Sequence, residues 1–249
     1  MLTGKTVLIT GGTGSLGKVL TDRILSQEFG QPKKVIIFSR DEAKQHDIRI
    51  KYMKLRGPTD EIIYNNFKQL LDFRIGDVRD YHDIARVLQG VDIVFNAAAL
   101  KQVPVCEYFP YGAVQTNVQG PENIVRAISE LRLDVETVVG VSTDKACKPV
   151  NVMGMTKALQ ERIFIRANLN CTSTRFVCVR YGNVLASRGS VIPLFHEQIK
   201  CGGPVTITTD DMTRFLLNLN QAVDTIMAAL KSANPGETYI PRVPSASMV

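Results

Sequence analysis

Tryptophan is absent from the 249 residues, and histidine occurs only three times. The five cysteines, Cys106, Cys147, Cys171, Cys178 and Cys201, are odd in number and scattered, with no Cys-x-x-Cys pair. These shortages argue against a metal centre and against a disulfide framework, so a reducing, cytoplasmic setting is expected. No apolar run approaches the ~18 residues that span a bilayer, which excludes a transmembrane helix. The opening Met1-Leu2-Thr3-Gly4-Lys5 leads straight into a strand-like run and offers no signal peptide. Polybasic runs and RNA-binding motifs are missing too. The excess of 30 basic over 24 acidic residues, a net charge of +6, is therefore explained by a phosphate-bearing small molecule, with no nucleic-acid partner expected.

What is present is ordinary globular material, with 45% apolar and 22% charged residues. Short apolar, β-branched runs predict strands at Val7–Thr10, Val35–Phe38, Val91–Phe95, Thr137–Val141 and Phe176–Arg180, and strict alternation predicts one at Leu71–Ile75. Helical spacing falls between them, at Leu16–Leu25, Asp41–Leu55, Tyr81–Leu88, Tyr111–Leu131 and Met153–Asn168. This alternation predicts an α/β fold, a Rossmann-like doubly wound parallel sheet with helices on both faces. After Gly182 the rhythm changes: Pro193–Lys200 and Leu216–Leu230 read as helices, Val205–Thr208 and Thr238–Ile240 as strands. The expected organisation is a dinucleotide-binding domain over 1–182 and a small C-terminal substrate-binding region over 183–249. No final helix closes that region, which predicts a truncated chain or a tail supplied by a partner.

The first strand runs into Thr10-Gly11-Gly12-Thr13-Gly14-Ser15-Leu16-Gly17 and then into a helix. Gly11 permits the tight turn, Gly14 lets backbone approach a pyrophosphate, and Gly17 lets the helix pack on the strand. The N–H groups of Thr13, Ser15 and Leu16 lie in that turn, where a helix N-terminus attracts an anion. Strand-turn-helix context makes this a dinucleotide site rather than a plain turn. At the end of the second strand, Ser39 and Arg40 suit a 2′-phosphate, so NADP is favoured. Asp41, one residue later, would suit the free 2′-hydroxyl of NAD. Asp77 and Val78 follow the third strand, where a carboxylate can accept from adenine and an apolar side chain can line the base. The small Ala97, Ala98 and Ala99 follow the fourth. Asn117, costly inside a helix, is either an organiser of water near the site or a satisfied buried polar group.

Strand ends are where open α/β sheets place chemistry. Thr143, Asp144 and Lys145 end the fifth strand, and Met153 and Lys157 share a face of the next helix. With these segments the chain resembles the extended short-chain dehydrogenase/reductases, and within them the UDP-N-acetylglucosamine 4,6-dehydratases of polysaccharide biosynthesis. The likeness runs through Ala97–Pro104, Thr116–Gly120, Ser142–Ala146, Asn151–Lys157, Arg180–Val184, Ser187–Val191 and Met212–Phe215. It departs at Met153, where the superfamily pattern YxxxK has tyrosine; some dehydratases of this type share the methionine.

The resemblance implies oxidation of the sugar at C4, loss of the C5 proton and the C6 hydroxyl, and return of hydride to C6. Lys145 would be the base at C5, Asp144 the acid at C6, and Thr143 a partner of the C4 oxygen. Lys157 would hold the nicotinamide ribose. With tyrosine absent, the C4 proton leaves through Thr143, water or Asp144. The resemblance also implies that Lys101, Asn117, Tyr181 and Asn183 serve the cofactor site. Lys101, Asn183, Arg188 and Arg214 would meet a UDP-sugar, the arginines through its diphosphate. A homo-oligomer is expected. The rival readings are a UDP-sugar 4-epimerase, which needs no acid and base at C5 and C6, and a dinucleotide-binding sensor without turnover.

Overall fold

The computed structural model describes residues 1–54, 58–185, 191–206 and 212–247. Its main sheet is built from β1 (Thr6–Thr10), β2 (Lys34–Ser39), β3 (Leu71–Ile75), β4 (Ile93–Asn96), β5 (Thr137–Thr143), β6 (Arg175–Tyr181) and β9 (Thr238–Tyr239). The order is β3-β2-β1-β4-β5-β6-β9 and every pairing is parallel. Strands buried on both faces must be apolar at every position, and side chains then alternate between two cores. Val7, Ile9, Val35, Phe95, Val139 and Val177 face one core, packed by α1 (Ser15–Leu25) and α10 (Leu219–Ser232). Leu8, Ile36, Val94, Val138 and Phe176 face the other, packed by α4 (Tyr81–Val87), α7 (Gly120–Glu130) and α8 (Val152–Asn170).

Two further helices, α2 (Glu42–Met53) and α3 (Pro58–Leu70), form a side cluster in which Tyr52 stacks on Phe67 at 5.2 Å. Two short ones, α5 (Val103–Tyr108) and α6 (Pro110–Val114), follow β4, and α9 (Val191–Lys200) follows β6. No element was expected over α3 or α5. The single helix expected over Tyr111–Leu131 is divided: α6 passes through a π-turn at Gln115–Gln119 into α7. A second sheet joins β7 (Asn183–Val184), β8 (Thr213–Leu217) and β10 (Ser245–Ser247) in the order β10-β8-β7. Val205 and Thr206 are not in a strand, whereas Ile207 and Thr208 lie outside the described residues. Leu216 and Leu217 belong to β8 rather than to the following helix. The helix starts at Leu219 because Asn218 and Gln221 form a reciprocal capping box.

The strand order reverses between β1 and β4. Open α/β sheets leave a crevice outside the strand ends at such a point, and both the glycine turn and the Thr-Asp-Lys segment lie at that end of the sheet.

Candidate active site

A cleft of about 1360 Å³ runs across these strand ends and under the second sheet. At one end it is floored by the glycine turn, with Gly11, Thr13, Gly14, Ser15, Leu16 and Gly17 in its wall. Gly11 has φ of +67°, and a Cβ there would stand 2.7 Å from the backbone nitrogen of Ala98. A Cβ on Gly17 would stand 2.5 Å from Gly12 Cα. Both positions therefore require glycine. The first turn of α1 has no side-chain cap and opens onto the cleft, an arrangement that suits a phosphate. Ala97 and Ala98 face the turn: the N–H of Ala97 donates to Thr10 O at 3.2 Å and that of Ala98 to Thr10 Oγ1 at 3.3 Å. Ala99 and Lys101 continue this wall. Partial burial pulls the Lys101 ammonium below its ordinary pKa.

Charged groups gather beyond the end of β2. Arg40, half exposed, lies 3.6 Å from Asp77. Arg79 grips the same carboxylate through Nε and Nη2, at 2.8 and 2.6 Å. Burial works against ionisation of Asp77, but the hydrogen bonds from Arg79 and the nearby Arg40 charge hold its pKa below the usual range. Ser39 Oγ accepts from Gln45 Nε2 at 3.2 Å. Lys44, unremarked in the sequence, pairs with Asp41 and lines the cleft beside Ser39 and Arg40. Val78 forms the adjoining apolar wall.

At the centre, Thr143, Lys145, Met153 and Lys157 line the cleft. Thr143 Oγ1 donates to Asp144 Oδ1 at 2.9 Å, and Lys145 Nζ donates to the same oxygen at 3.1 Å. Asp144 is not itself in the cleft wall, but both of its hydrogen-bond donors are. Lys145 Nζ also donates to Asn183 Oδ1 at 3.2 Å. Lys157 is buried, its pKa lowered to about 8 by loss of solvent. Met153 is buried against Cys106 and Ala113, so the position of the family tyrosine holds an apolar plug. Tyr181 adds a buried phenol whose pKa burial raises. Asn183 and Arg214 bring the second sheet to the cleft, and Arg214 is half-buried there. Apolar Leu185, Leu216 and Leu219 close this end, a set scattered in sequence and assembled only by the β7–β8 pairing.

Among the described residues, two expected site residues, Asp144 and Asn117, are not in the cleft wall. Arg188 lies outside the described residues. Asn117 is fully buried in the π-turn, accepting from Leu100 N at 2.8 Å and donating to Leu100 O at 2.9 Å and Thr156 Oγ1 at 3.0 Å. It is the satisfied buried polar group of the two alternatives, and it fixes the loop that carries Lys101. Among the described residues, no cluster suited to a metal occurs, and no helix is long and apolar enough to cross a membrane.

The family model for polysaccharide biosynthesis proteins matches residues 7–249. The chain belongs to that family. It is 45% identical, over its whole length and 69% of the relative's, to a protein of Rickettsia bellii named UDP-glucose 4-epimerase. Pen from Bacillus thuringiensis superposes with a TM-score of 0.88 at 37% identity, over 99% of this chain and 73% of that one. DesIV, a dTDP-glucose 4,6-dehydratase of Streptomyces venezuelae solved with NAD bound, gives a TM-score of 0.80 at 21% identity. That alignment covers 97% of this chain and 77% of DesIV, and at this identity it speaks to the fold alone.

Proposed function

We propose that this chain is an NADP-dependent 4,6-dehydratase of a UDP-sugar, UDP-N-acetylglucosamine by the resemblance of its motifs, acting in glycan biosynthesis. The observation that carries the reading is the Thr143–Asp144–Lys145 cluster, in which two cleft-lining side chains donate to one carboxylate oxygen next to the wall. Residues 1–182 hold the dinucleotide and residues 183–249 the sugar nucleotide. The glycine turn and the uncapped start of α1 fit its pyrophosphate, and Ser39, Arg40 and Lys44 fit a 2′-phosphate.

When bound, nicotinamide supplies the hydride acceptor for C4 and the hydride donor for C6. The residues move the protons. The C4 hydroxyl proton passes through Thr143 Oγ1 to the Asp144 carboxylate, along the 2.9 Å hydrogen bond. Lys145, as the free amine, takes the proton from C5, which the C4 ketone has acidified. Asp144 returns its proton through Thr143 Oγ1 to the C6 hydroxyl, which leaves as water, and the C5–C6 double bond forms. Once C6 has received hydride, C5 takes a proton from Lys145 or from solvent on the opposite face. In this scheme Asp144 is base first and acid second, and its proton count closes over one turnover. Arg214, with Arg188, binds the diphosphate, Asn183 holds Lys145 and touches the sugar, and Lys157 holds the cofactor ribose.

The second reading is a 4-epimerase, favoured by the name of the Rickettsia bellii relative at 45% identity. Incubation with UDP-N-acetylglucosamine or UDP-glucose and mass analysis separates the two. Loss of one water supports the dehydratase; a product of unchanged mass and inverted C4 supports the epimerase.

A further inference from the structure

We propose that Gln160 is a positioning residue for Lys157, offering the buried ammonium a neutral acceptor where position 153 lacks a phenol and tying it to the carbonyl of Val141. The proposal rests on the assignment of Lys157 to the dinucleotide site. Lys157 Nζ donates to Gln160 Oε1 at 2.6 Å, and Gln160 Nε2 donates to Val141 O at 3.0 Å. Gln160 has no exposed surface. It stands one turn beyond Lys157 on α8, and spacing of three residues puts the two side chains on one face. The link therefore runs from the cleft, through α8, to the strand that ends in Thr143.

A buried ammonium needs a partner. Met153 offers only a thioether, buried among Cys106 and Ala113. The nearest carboxylate on the same helix, Glu161, is already engaged: Ser142 Oγ donates to it, and Arg180 grips it through Nε at 3.1 Å and Nη2 at 2.5 Å. The Cys178 thiol on β6 also acts on Lys157, and burial pushes its pKa up to about 12. The Asp144–Lys145 pair is closed on itself and on Asn183. Among the described residues, Gln160 is the side chain that accepts the Lys157 hydrogen bond. Gly140 makes the room: a Cβ there would stand 2.5 Å from the Phe164 ring and 3.2 Å from Gln160 Nε2. Loss of solvent lowers the Lys157 pKa to about 8, and a neutral acceptor brings no opposite charge to offset that.

The test is a pH titration of ¹³C-lysine-labelled full chain, with the Lys157 signal assigned from the Lys157→Met spectrum. Gln160→Leu removes the acceptor and should lower the Lys157 midpoint by about one pH unit; Gln160→Glu supplies a charged acceptor and should raise it by about as much. The affinity for NADP+ at neutral pH should fall several-fold in Gln160→Leu and be retained in Gln160→Glu. Should Gln160→Leu fail to fold, an unmoved midpoint in Gln160→Glu alone overturns the proposal, as do unmoved midpoints in both. A chain that shifts its Lys157 midpoint yet leaves the sugar nucleotide unchanged would remove the dehydratase reading and leave this one standing.

Discussion

Lys145 Nζ and Asn183 Oδ1 meet at 3.2 Å, although 38 residues of sequence separate them. This contact ties the end of the main sheet to the first strand of the second. It holds the proposed base at the junction between the half of the cleft floored by the glycine turn and the half that carries Arg214.

Substitutions in the acid/base pair should stall the reaction at different points. Lys145→Ala should still oxidise C4, so reduced nicotinamide accumulates in a single turnover with no exchange of the C5 proton. Asp144→Asn keeps the shape but neither takes nor gives a carboxyl proton, and turnover should fall by ~10²–10⁴-fold. Normal turnover in Lys145→Ala would remove it from the role of base.

At the other end of the cleft, Arg40→Ala should weaken NADP+ about tenfold and NAD+ less, the lower range for a lost charge-assisted hydrogen bond because Arg40 is half exposed. Lys44→Ala should act in the same direction, and calorimetric titration of both nucleotides checks it. Equal losses for NADP+ and NAD+ would show that neither cation reads the 2′-phosphate.

Much of this arrangement was legible in the sequence. The β-branched runs and the glycine turn have local causes, burial on both faces and a backbone that excludes Cβ, and both leave one-dimensional patterns. The fold departs from the pattern where a cause is non-local. The π-turn at Gln115–Gln119 exists where Asn117 reaches Leu100 and Thr156. Strand β8 takes Leu216 and Leu217 because β7 is there to pair with. Gln160 is silent in sequence, since its partner Val141 lies 19 residues away on the strand beneath.

Asn117→Ala should expose this dependence. It leaves the Leu100 N–H unpaired and the Leu100 carbonyl with only the weak Cys106 Sγ donor at 3.7 Å, at a cost of roughly 2–4 kcal/mol. For a chain of this size that lowers Tm by about 4–8 °C. An unchanged Tm by calorimetry would mean that the π-turn does not depend on Asn117.

The pKa of Lys157, about 8 in the folded chain against 10.5 for an ordinary lysine, has a signed consequence for stability. Between those values the unfolded chain binds more protons than the folded one, so stability rises with pH. The burial penalty is complete below about pH 8 and gone near pH 10.5. Lys157→Met should therefore gain most over the parent at neutral pH, with the gain fading as pH approaches 10.5. Denaturant titrations of both proteins at several pH values would contradict this if the difference were flat.

The proposed dehydration is tested most directly by incubating the protein and NADP+ with UDP-N-acetylglucosamine in deuterated water, followed by proton NMR. The account predicts a 4-keto-6-deoxy product with a new methyl signal at C6 and deuterium at C5, because Lys145 or solvent reprotonates that carbon after elimination. A product that keeps its C6 hydroxyl and its original C5 proton, with only C4 inverted, would contradict it.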